Sequence, residues 1–422
     1  MLNTTALLTD RYELTMLQAA RHSGTADRKC VFEVFTRHLP AGRRFGVVAG
    51  TGRVLQQIQN FRFDQATLSW LREQKIVDSD TIDWLADYQF RGNISGYREG
   101  EIYFAHSPVM QVEATFAEAV LLETLILSIL NYDSAVASAA SRMVTAANGR
   151  YLAEMGGRRV NENSAVAAAR AAYIAGFDAS SNLEAGRSWG VPTMGTAAHA
   201  FTLLHDSEEQ AFKAQLETFG EKTTLLVDTY NIEAAVRKAI SLAPKLGAVR
   251  IDSGDLGVEV KRVRQLLDSL GATETKITVT NDLDEFAIAA LAAAPVDSYG
   301  VGTSVATGSG STTAGFVYKL VSFERSSGDW QSVAKTSAQK SNPGGKKHAS
   351  RTAEAEIVDT KVIAEGRNLC VNLVENGQVL TEFSGAAGVT TARAHHQLAK
   401  SELPLEGLRL MRGDAALPTI IR

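Results

Sequence analysis

Cysteine is almost missing from this chain. Of 422 residues only Cys30 and Cys370 carry a thiol. They lie far apart and outside any CxxC pattern, which argues against a disulfide framework and a structural zinc site. Both read as buried thiols of a reducing cytoplasm. An excess of basic charge is missing too. Lys and Arg number 43 against 47 Asp and Glu, a net charge of −4. No global field for nucleic acid follows, so any anion site must be built locally. Long apolar runs are also lacking. The most apolar stretch, "AEAVLLETLILSIL" (117–130), is interrupted by Glu118 and Glu123 and is too short to span a bilayer. The start, "MLNTTALLTDRYELTM", has no basic segment followed by an apolar core and does not read as a signal peptide. Histidine is scarce, with eight in the chain. One of them, His199, stands in "VPTMGTAAHAF" (191–201) among residues with almost no side chain. A core histidine is normally surrounded by partners, whereas one that meets a substrate needs room.

What is present points to a soluble globular protein, with 45% apolar and 21% charged residues. The length exceeds one ordinary core, so two domains are expected unless one large barrel takes most of the chain. Residues 1–115 are mixed. "KCVFEVFTRHLP" and "GEIYFAHSPVMQVEATF" read as strands. "RFDQATLSWLREQK" and "DTIDWLADYQF" read as helices, with Asp64 and Asp80 as caps. One long helix is predicted over 116–147.

From there short apolar strands alternate with helices. The strand candidates are "YLAEMG", "DASSN", "TMGTAAH", "TTLLVDTY", "AVRIDSGD", "KITVTND" and "SYGVGTS". In the helix over 257–271, Val260, Val263, Leu267 and Leu270 share one stripe, with Lys261, Arg264 and Asp268 off it. The alternation predicts a parallel sheet, and seven strands without a long interruption favour barrel-like closure over an open sheet. A Gly/Ser/Lys-rich exposed loop, "AKTSAQKSNPGGKKHASR", precedes a tail that returns to strands and turns. The expected division is an N-terminal α+β domain (1–115), a catalytic barrel (116–325) and a C-terminal segment (326–422) packing back on the first.

Ligands of parallel α/β sheets bind beyond the carboxyl ends of the strands. Those ends carry Gly156–Gly157–Arg158–Arg159, Ser180–Ser181–Asn182, Gly195–Thr196 with His199, Asp228–Thr229–Tyr230, Arg250 followed by Asp252–Ser253–Gly254–Asp255, Asn281–Asp282 with Asp284, and Gly300, Gly302, Thr303 and Ser304. Helix capping alone explains some of these, Asp284 and Ser180 in particular. It does not require two arginines, a histidine and several carboxylates on one face. The glycines and hydroxyls of "YGVGTSVATGSGSTT" can turn backbone N–H groups toward a phosphate, although such runs are also ordinary loops. Asp252, Asp255 and Asp282 suit ribose hydroxyls or Mg²⁺, and otherwise cap helices or face solvent. Arg158 and Arg250 can fork a carboxylate or phosphate, or form structural ion pairs. Lys335, Lys340, Lys346 and Lys347 form either a solvated linker or a phosphate lid.

Eight stretches, in order, resemble the nicotinate phosphoribosyltransferase family. They are "LLTDRYELTML" (7–17), "FEVFTRHLP" (32–40), "EMGGRRV" (154–160), "AARAAYIAGFDASSN" (168–182), "GVPTMGTAAHAF" (190–201), "VRIDSGDL" (249–256), "TNDLDEF" (280–286) and "YGVGTSVATGSGS" (299–311). The resemblance implies an irregular seven-stranded β/α barrel of the type II phosphoribosyltransferase kind, plus an α+β domain from the terminal segments. It implies an enzyme of NAD salvage that joins nicotinate to 5-phosphoribosyl 1-diphosphate, with Mg²⁺ and coupled ATP hydrolysis. The products are nicotinate mononucleotide, diphosphate, ADP and phosphate. It further implies a homodimer with shared sites.

By the same resemblance His199 is the histidine phosphorylated by ATP, and its small neighbours leave space for the phosphoryl group. Tyr12 stacks on the pyridine of the partner subunit's site. Arg158 and Arg250 surround pyridine and diphosphate. Asp252, Ser253, Gly254 and Asp255 serve the ribose and diphosphate, with Asp252 and Asp255 catalytic. Asn281, Asp282, Gly302 and Thr303 cradle the 5′-phosphate. Relatives that use nicotinamide carry Asp where this chain has Ser181, which favours the acid over the amide, and the presence of His199 and the carboxylates weighs against a non-catalytic nucleotide-binding role. The chain departs from many members at Gly157, where a large residue is usual, and at Ala200, where Ser is.

Overall fold

A computed structural model of the chain describes residues 4–335 and 343–422. Two compact units emerge, one from Met1–Ser138 with Ser311–Arg422, the other from Ala139–Gly310. No helix among the described residues is long and apolar enough to cross a membrane.

The first unit is built on a seven-stranded antiparallel sheet. Its order is Trp330–Ser332, Phe316–Glu324, Lys29–Thr36, Met110–Thr115, Asn93–Tyr97, Cys370–Glu375 and Gln378–Val379. Lys29–Thr36 is buried on both faces after its first residue, so its Val and Phe side chains fall on both faces rather than alternating, with buried Glu33 between them. Phe32 stacks on Tyr318 of the neighbouring strand at 4.7 Å. Gln65–Glu73 is a helix capped by Asp64, as the sequence suggests. The next helix, Ser79–Ala86, is capped by Asp78, which accepts from Thr81 N, while Asp80 lies in its first turn.

The helix expected over 116–147 is two helices. Phe116–Val120 opens with a capping box between Thr115 and Glu118, and Glu123–Ala147 starts afresh. Glu13 makes the second start possible, because its buried carboxylate accepts the Thr124 N–H at 3.0 Å. Residues 116–138 and 311–325, expected with the barrel, lie in the first unit. Leu121, Leu125 and Ile129 belong to its core, and Phe316–Glu324 pairs with Lys29–Thr36.

A buried charge network joins the N- and C-terminal segments of this unit. Arg351 donates to Glu101 at 2.5 Å and to Glu356 at 2.8 Å. Arg367 reaches Glu101 at 2.8 Å and Glu402 at 2.7 Å. His395 lies 2.7 Å from Glu101, and the Tyr97 hydroxyl donates to Glu356 at 2.8 Å. Lys347 is part of the same unit and is neither a solvated linker nor a lid. It is buried and donates to both oxygens of Glu33, at 3.0 and 2.8 Å. Burial pushes the Glu33 carboxyl up to about 7 against the pull of Lys347. Lys346 pairs with Glu113 at the surface at 2.6 Å, Lys335 is exposed, and Lys340 lies outside the described residues. Neither cysteine is in a disulfide, and burial pushes both thiols up to about 12.

The second unit is a curled parallel sheet, a half-barrel of six strands. Its order is Ala179–Ser180, Tyr151–Glu154, Ser298–Val301, Lys276–Val279, Ala248–Ile251 and Thr224–Leu226. The strands are two to four residues long, yet their apolar residues are almost fully buried because helices cover the sheet. Leu256–Ser269 shows how: Val260, Val263 and Leu267 are buried, while Lys261 and Asp268 face out. The remaining strand candidate, "TMGTAAH", contributes a single parallel bridge, Thr193 to Ser180. All six strands run the same way, so their carboxyl ends gather on one rim.

Candidate active site

A cleft of about 440 Å³ opens on that rim. Residues from five of the six strand ends and from the Thr193 segment line it. They include Gly157, Arg158 and Arg159, then Ser181, then Gly195 to Ala198, then Arg250 and Asp252, then Asn281 and Asp282, and finally Gly302 and Thr303. Eight of these were expected site residues: Arg158, Ser181, Arg250, Asp252, Asn281, Asp282, Gly302 and Thr303. Glycine is needed where the walls touch. A Cβ on Gly300 would come within 2.6 Å of Thr280 Cγ2, and one on Gly156 within 2.6 Å of Ala306 Cβ. Gly157 differs, since a Cβ there would meet nothing nearer than 3.9 Å. Asn281 and Asp282 form the tightest turn of the rim with φ of 98° and 43°, a conformation Asn and Asp tolerate better than most residues.

His199 opens the short helix His199–Leu204 beside the cleft, its side chain 39% exposed. Its Nδ1 lies 3.1 Å from Thr229 Oγ1. Its Nε2 faces two carboxylates, Asp228 Oδ1 and Asp252 Oδ2, each at 3.8 Å. Asp228 is held rigidly: its side chain is 0% exposed, and Oδ2 accepts from Asp252 N at 2.8 Å and Ser253 Oγ at 2.7 Å. Its Oδ1 is buried and accepts no hydrogen bond. Asp252 accepts from the Thr280 hydroxyl. These contacts aim two carboxylates at one imidazole nitrogen, a setting in which a histidine can exchange a proton.

Arg250 comes from the middle of its strand. Its Nη1 donates to Thr196 Oγ1 at 2.6 Å and to Ala197 O at 3.2 Å, and its Nη2 is 3.9 Å from Asp252. Its buried Nε has no partner. Burial pulls the Arg250 pKa down, Asp252 and Asp228 offset this only in part, and Arg158 adds a like charge. Arg158, Arg159 and Arg250 outnumber Asp252 and Asp282 on the cleft wall, a setting suited to an anionic ligand.

Other expected residues fall elsewhere. Asp255 caps the helix Leu256–Ser269 by accepting from Val258 N at 3.3 Å, and it does not line the cleft. Ser253 braces Asp228, and Gly254 turns the chain with φ of 83°. Asp284 is a cap, accepting from Phe286 N and Ala287 N. Tyr12 is on the helix Arg11–His22 of the first unit, 44% exposed. Burial, with help from Glu123, pushes its hydroxyl up to about 12. The run "TGSG" does not line the cleft. Ser309 N closes back on Ser304 O, and the Ser309 hydroxyl donates to buried Glu285.

Comparison with known proteins follows the same lines. Residues 7–131 match the nicotinate phosphoribosyltransferase (NAPRTase) N-terminal domain. A Mycobacterium tuberculosis protein named nicotinate phosphoribosyltransferase pncB1 is 53% identical, over 98% of this chain and 94% of its own. The chain belongs to the nicotinate phosphoribosyltransferase family. A Bacillus subtilis nicotinate phosphoribosyltransferase is 36% identical over 76% of this chain and 67% of its own. The crystal structure of human nicotinic acid phosphoribosyltransferase has the same fold, with a TM-score of 0.83 and 24% identity over 98% of this chain and 97% of that one.

Four residues of this family member's rim are more engaged than the sequence suggested. Asp228 and Thr229 hold His199, Thr280 holds Asp252, and Glu154 lies buried beneath the Gly156 turn. The polar end of "TTLLVDTY" was the available signal for the first two. For Thr280 and Glu154 the sequence offered a polar residue closing a short apolar strand, at the start of "TNDLDEF" and "EMGGRRV".

Proposed function

We propose that this cleft joins nicotinate to 5-phosphoribosyl 1-diphosphate, an entry step to NAD, and that ATP hydrolysis is coupled to it through His199. The observation that carries the reading is the meeting of His199, Asp228, Asp252 and Arg250 on a rim whose cleft wall carries more arginines than carboxylates. Family membership supports the substrates. In this reading Arg158, beside Ser181, grips the nicotinate carboxylate. A charge-assisted arginine–carboxylate bond favours the acid over the neutral amide by about 2–3 kcal/mol. Arg250 faces the diphosphate and stabilises the charge that develops as it leaves C1 of the ribose through an oxocarbenium-like transition state. Asn281, Asp282, Gly302 and Thr303 hold the 5′-phosphate. Holding the ring in line lets the pyridine nitrogen attack from the opposite face. His199, with Nδ1 on Thr229, presents Nε2 as the nucleophile toward ATP.

Mg²⁺ fits these residues as a substrate-borne ion. No group of three or more His, Cys, Asp or Glu among the described residues is arranged to hold a metal, while Asp252 and Asp282 offer carboxylates on the cleft wall. Asp252 and Asp282 would hold such an ion against the diphosphate, where it would supply charge neutralisation for the leaving group. Asp255, spent on its helix cap, is left out of that set. We further infer that the "TMGTAAH" segment, bridged to Ser180, is the seventh stave of an irregular barrel.

One assay tests the reaction: nicotinate or nicotinamide, each with and without ATP, following mononucleotide and ADP. The acid is expected to be used at least about a hundredfold better, with ADP formed alongside it. Equal efficiency on both would refute the reading of Arg158. For assembly the proposal is a homodimer in which Tyr12 of one subunit completes the other's site. Tyr12→Ala and His199→Ala, each nearly inactive, should regain activity when their subunits exchange. No recovery after verified exchange would assign Tyr12 to packing of its own helix.

A further inference from the structure

Glu154 is a buried carboxylate that the proposed reaction does not use. It ends the strand Tyr151–Glu154 and is fully buried, yet no cation among the described residues pairs with it. Both of its oxygens are committed. Oε1 accepts from Gly156 N, two residues ahead, and Oε2 accepts from Ser180 Oγ at 2.6 Å on the neighbouring strand. Ser180 Oγ in turn accepts from Asn182 N at 2.9 Å, which bends the chain around Ser181. The Gly156 backbone is wedged against the next strand end as well, since a Cβ there would lie 2.8 Å from Gly302 O. Met155 N donates to Val301 O at 2.7 Å on that side. One carboxylate thus sets the turn that carries Gly157, Arg158 and Arg159 and the bend that carries Ser181, both on the cleft wall.

Both groups that face Glu154 are donors, so each needs a lone pair. A carboxylate supplies them on two oxygens, whereas a carboxamide supplies them on one. Burying an ionised group without a counter-charge is costly, and burial does raise the Glu154 pKa.

We propose that Glu154 is a positioning residue for the pyridine carboxylate. It acts through Gly156 N and Ser180 Oγ to hold Arg158 and Ser181 at the spacing that a planar aromatic acid needs. This rests on the assignment of Arg158 and Ser181 to nicotinate above. The Asp252 and Asn281–Asp282 walls do not depend on it.

The test compares Glu154→Gln and Ser180→Ala with the wild-type chain by steady-state kinetics and thermal unfolding. The expected result is a rise in nicotinate KM of about tenfold for Glu154→Gln and about threefold for Ser180→Ala. KM for 5-phosphoribosyl 1-diphosphate should stay within about twofold. The double variant should be no worse than Glu154→Gln alone, because both act through one contact. An unchanged nicotinate KM in a folded Glu154→Gln protein would overturn the proposal. So would an equal rise in both KM values. Should Glu154→Gln fail to fold, Ser180→Ala decides by itself, and an unchanged nicotinate KM there overturns the proposal too. A wild-type chain that makes no nicotinate mononucleotide would defeat the functional reading instead. Direct calorimetric titration of nicotinate, about tenfold weaker in Glu154→Gln or not, would then settle Glu154 separately.

Discussion

Arg351 and Arg250 are both largely buried, and their surroundings push them in opposite directions. Burial alone would lower both pKa values. Around Arg351, Glu356 and Glu101 outweigh burial and raise it. Around Arg250, Asp252 and Asp228 do not, and Arg158 deepens the deficit. The first arginine belongs to a network in which Glu101, Glu356 and Glu402 meet Arg351, Arg367 and His395, with only the buried Arg351 Nε left without an acceptor. The second belongs to a rim with an unsatisfied carboxylate oxygen on Asp228 and exposed arginines beside it. Charge that is satisfied within the protein holds segments together. Charge left in deficit is available to a ligand.

Breaking the Arg351 network should have the largest effect. Arg351→Leu strands Glu101 and Glu356 without their main partner and should destabilise the first unit by about 3–5 kcal/mol. Denaturant unfolding followed by tryptophan fluorescence reads this, since Trp70, Trp84 and Trp330 lie in that unit. A loss under about 1 kcal/mol would mean the network contributes no net stability. The acid limb sharpens the point. Burial would raise the Glu101 pKa, but hydrogen bonding to His395 and the charges of Arg351 and Arg367 hold it well below the usual carboxylate range. Its stabilisation is therefore present above the unfolded value, about 4.3, and is lost as pH falls through the folded one. Without Arg351 that loss should begin at higher pH.

The open cluster should answer the other way. His199→Ala is expected to cost at least about a hundredfold in ATP-stimulated turnover while shifting stability by less than about 1 kcal/mol. Incubation with γ-labelled ATP checks it: an acid-labile label should appear on the wild type and vanish in the variant. A label of equal strength on the variant would exclude His199 as the acceptor.

The smallest effect separates two adjacent lysines. Lys346→Ala breaks a half-exposed pair with Glu113 and should cost less than about 1 kcal/mol. Lys347→Ala leaves Glu33 buried without its partner and should cost several times more, about 3 kcal/mol. Equal losses in the same unfolding experiment would show that burial does not set the difference.

Much of the fold was legible residue by residue. The apolar strand bodies, the stripe of Val260, Val263 and Leu267, the Asp64 cap and the polar strand ends are local patterns. So was the place of His199 beside the rim, because small neighbours and a strand-end position are visible in eleven contiguous residues. Asp255 misled for the same reason: in a list of strand-end carboxylates it looks like Asp252, and only the N–H of Val258 shows that it is a cap. Lys347 misled more, since its partner Glu33 is 314 residues away.

By itself, then, the sequence determined the alternation of strands and helices, the rim on which polar residues gather, and the family, since periodicity, caps and motifs are written in neighbouring residues. Tertiary structure decided which charges are spent and which are free. It paired Arg351 with Glu101 and left Arg250 short, set Glu154 under two turns, and aimed Asp228 at His199. Those outcomes depend on burial and on distances between residues that the chain brings together only when it folds.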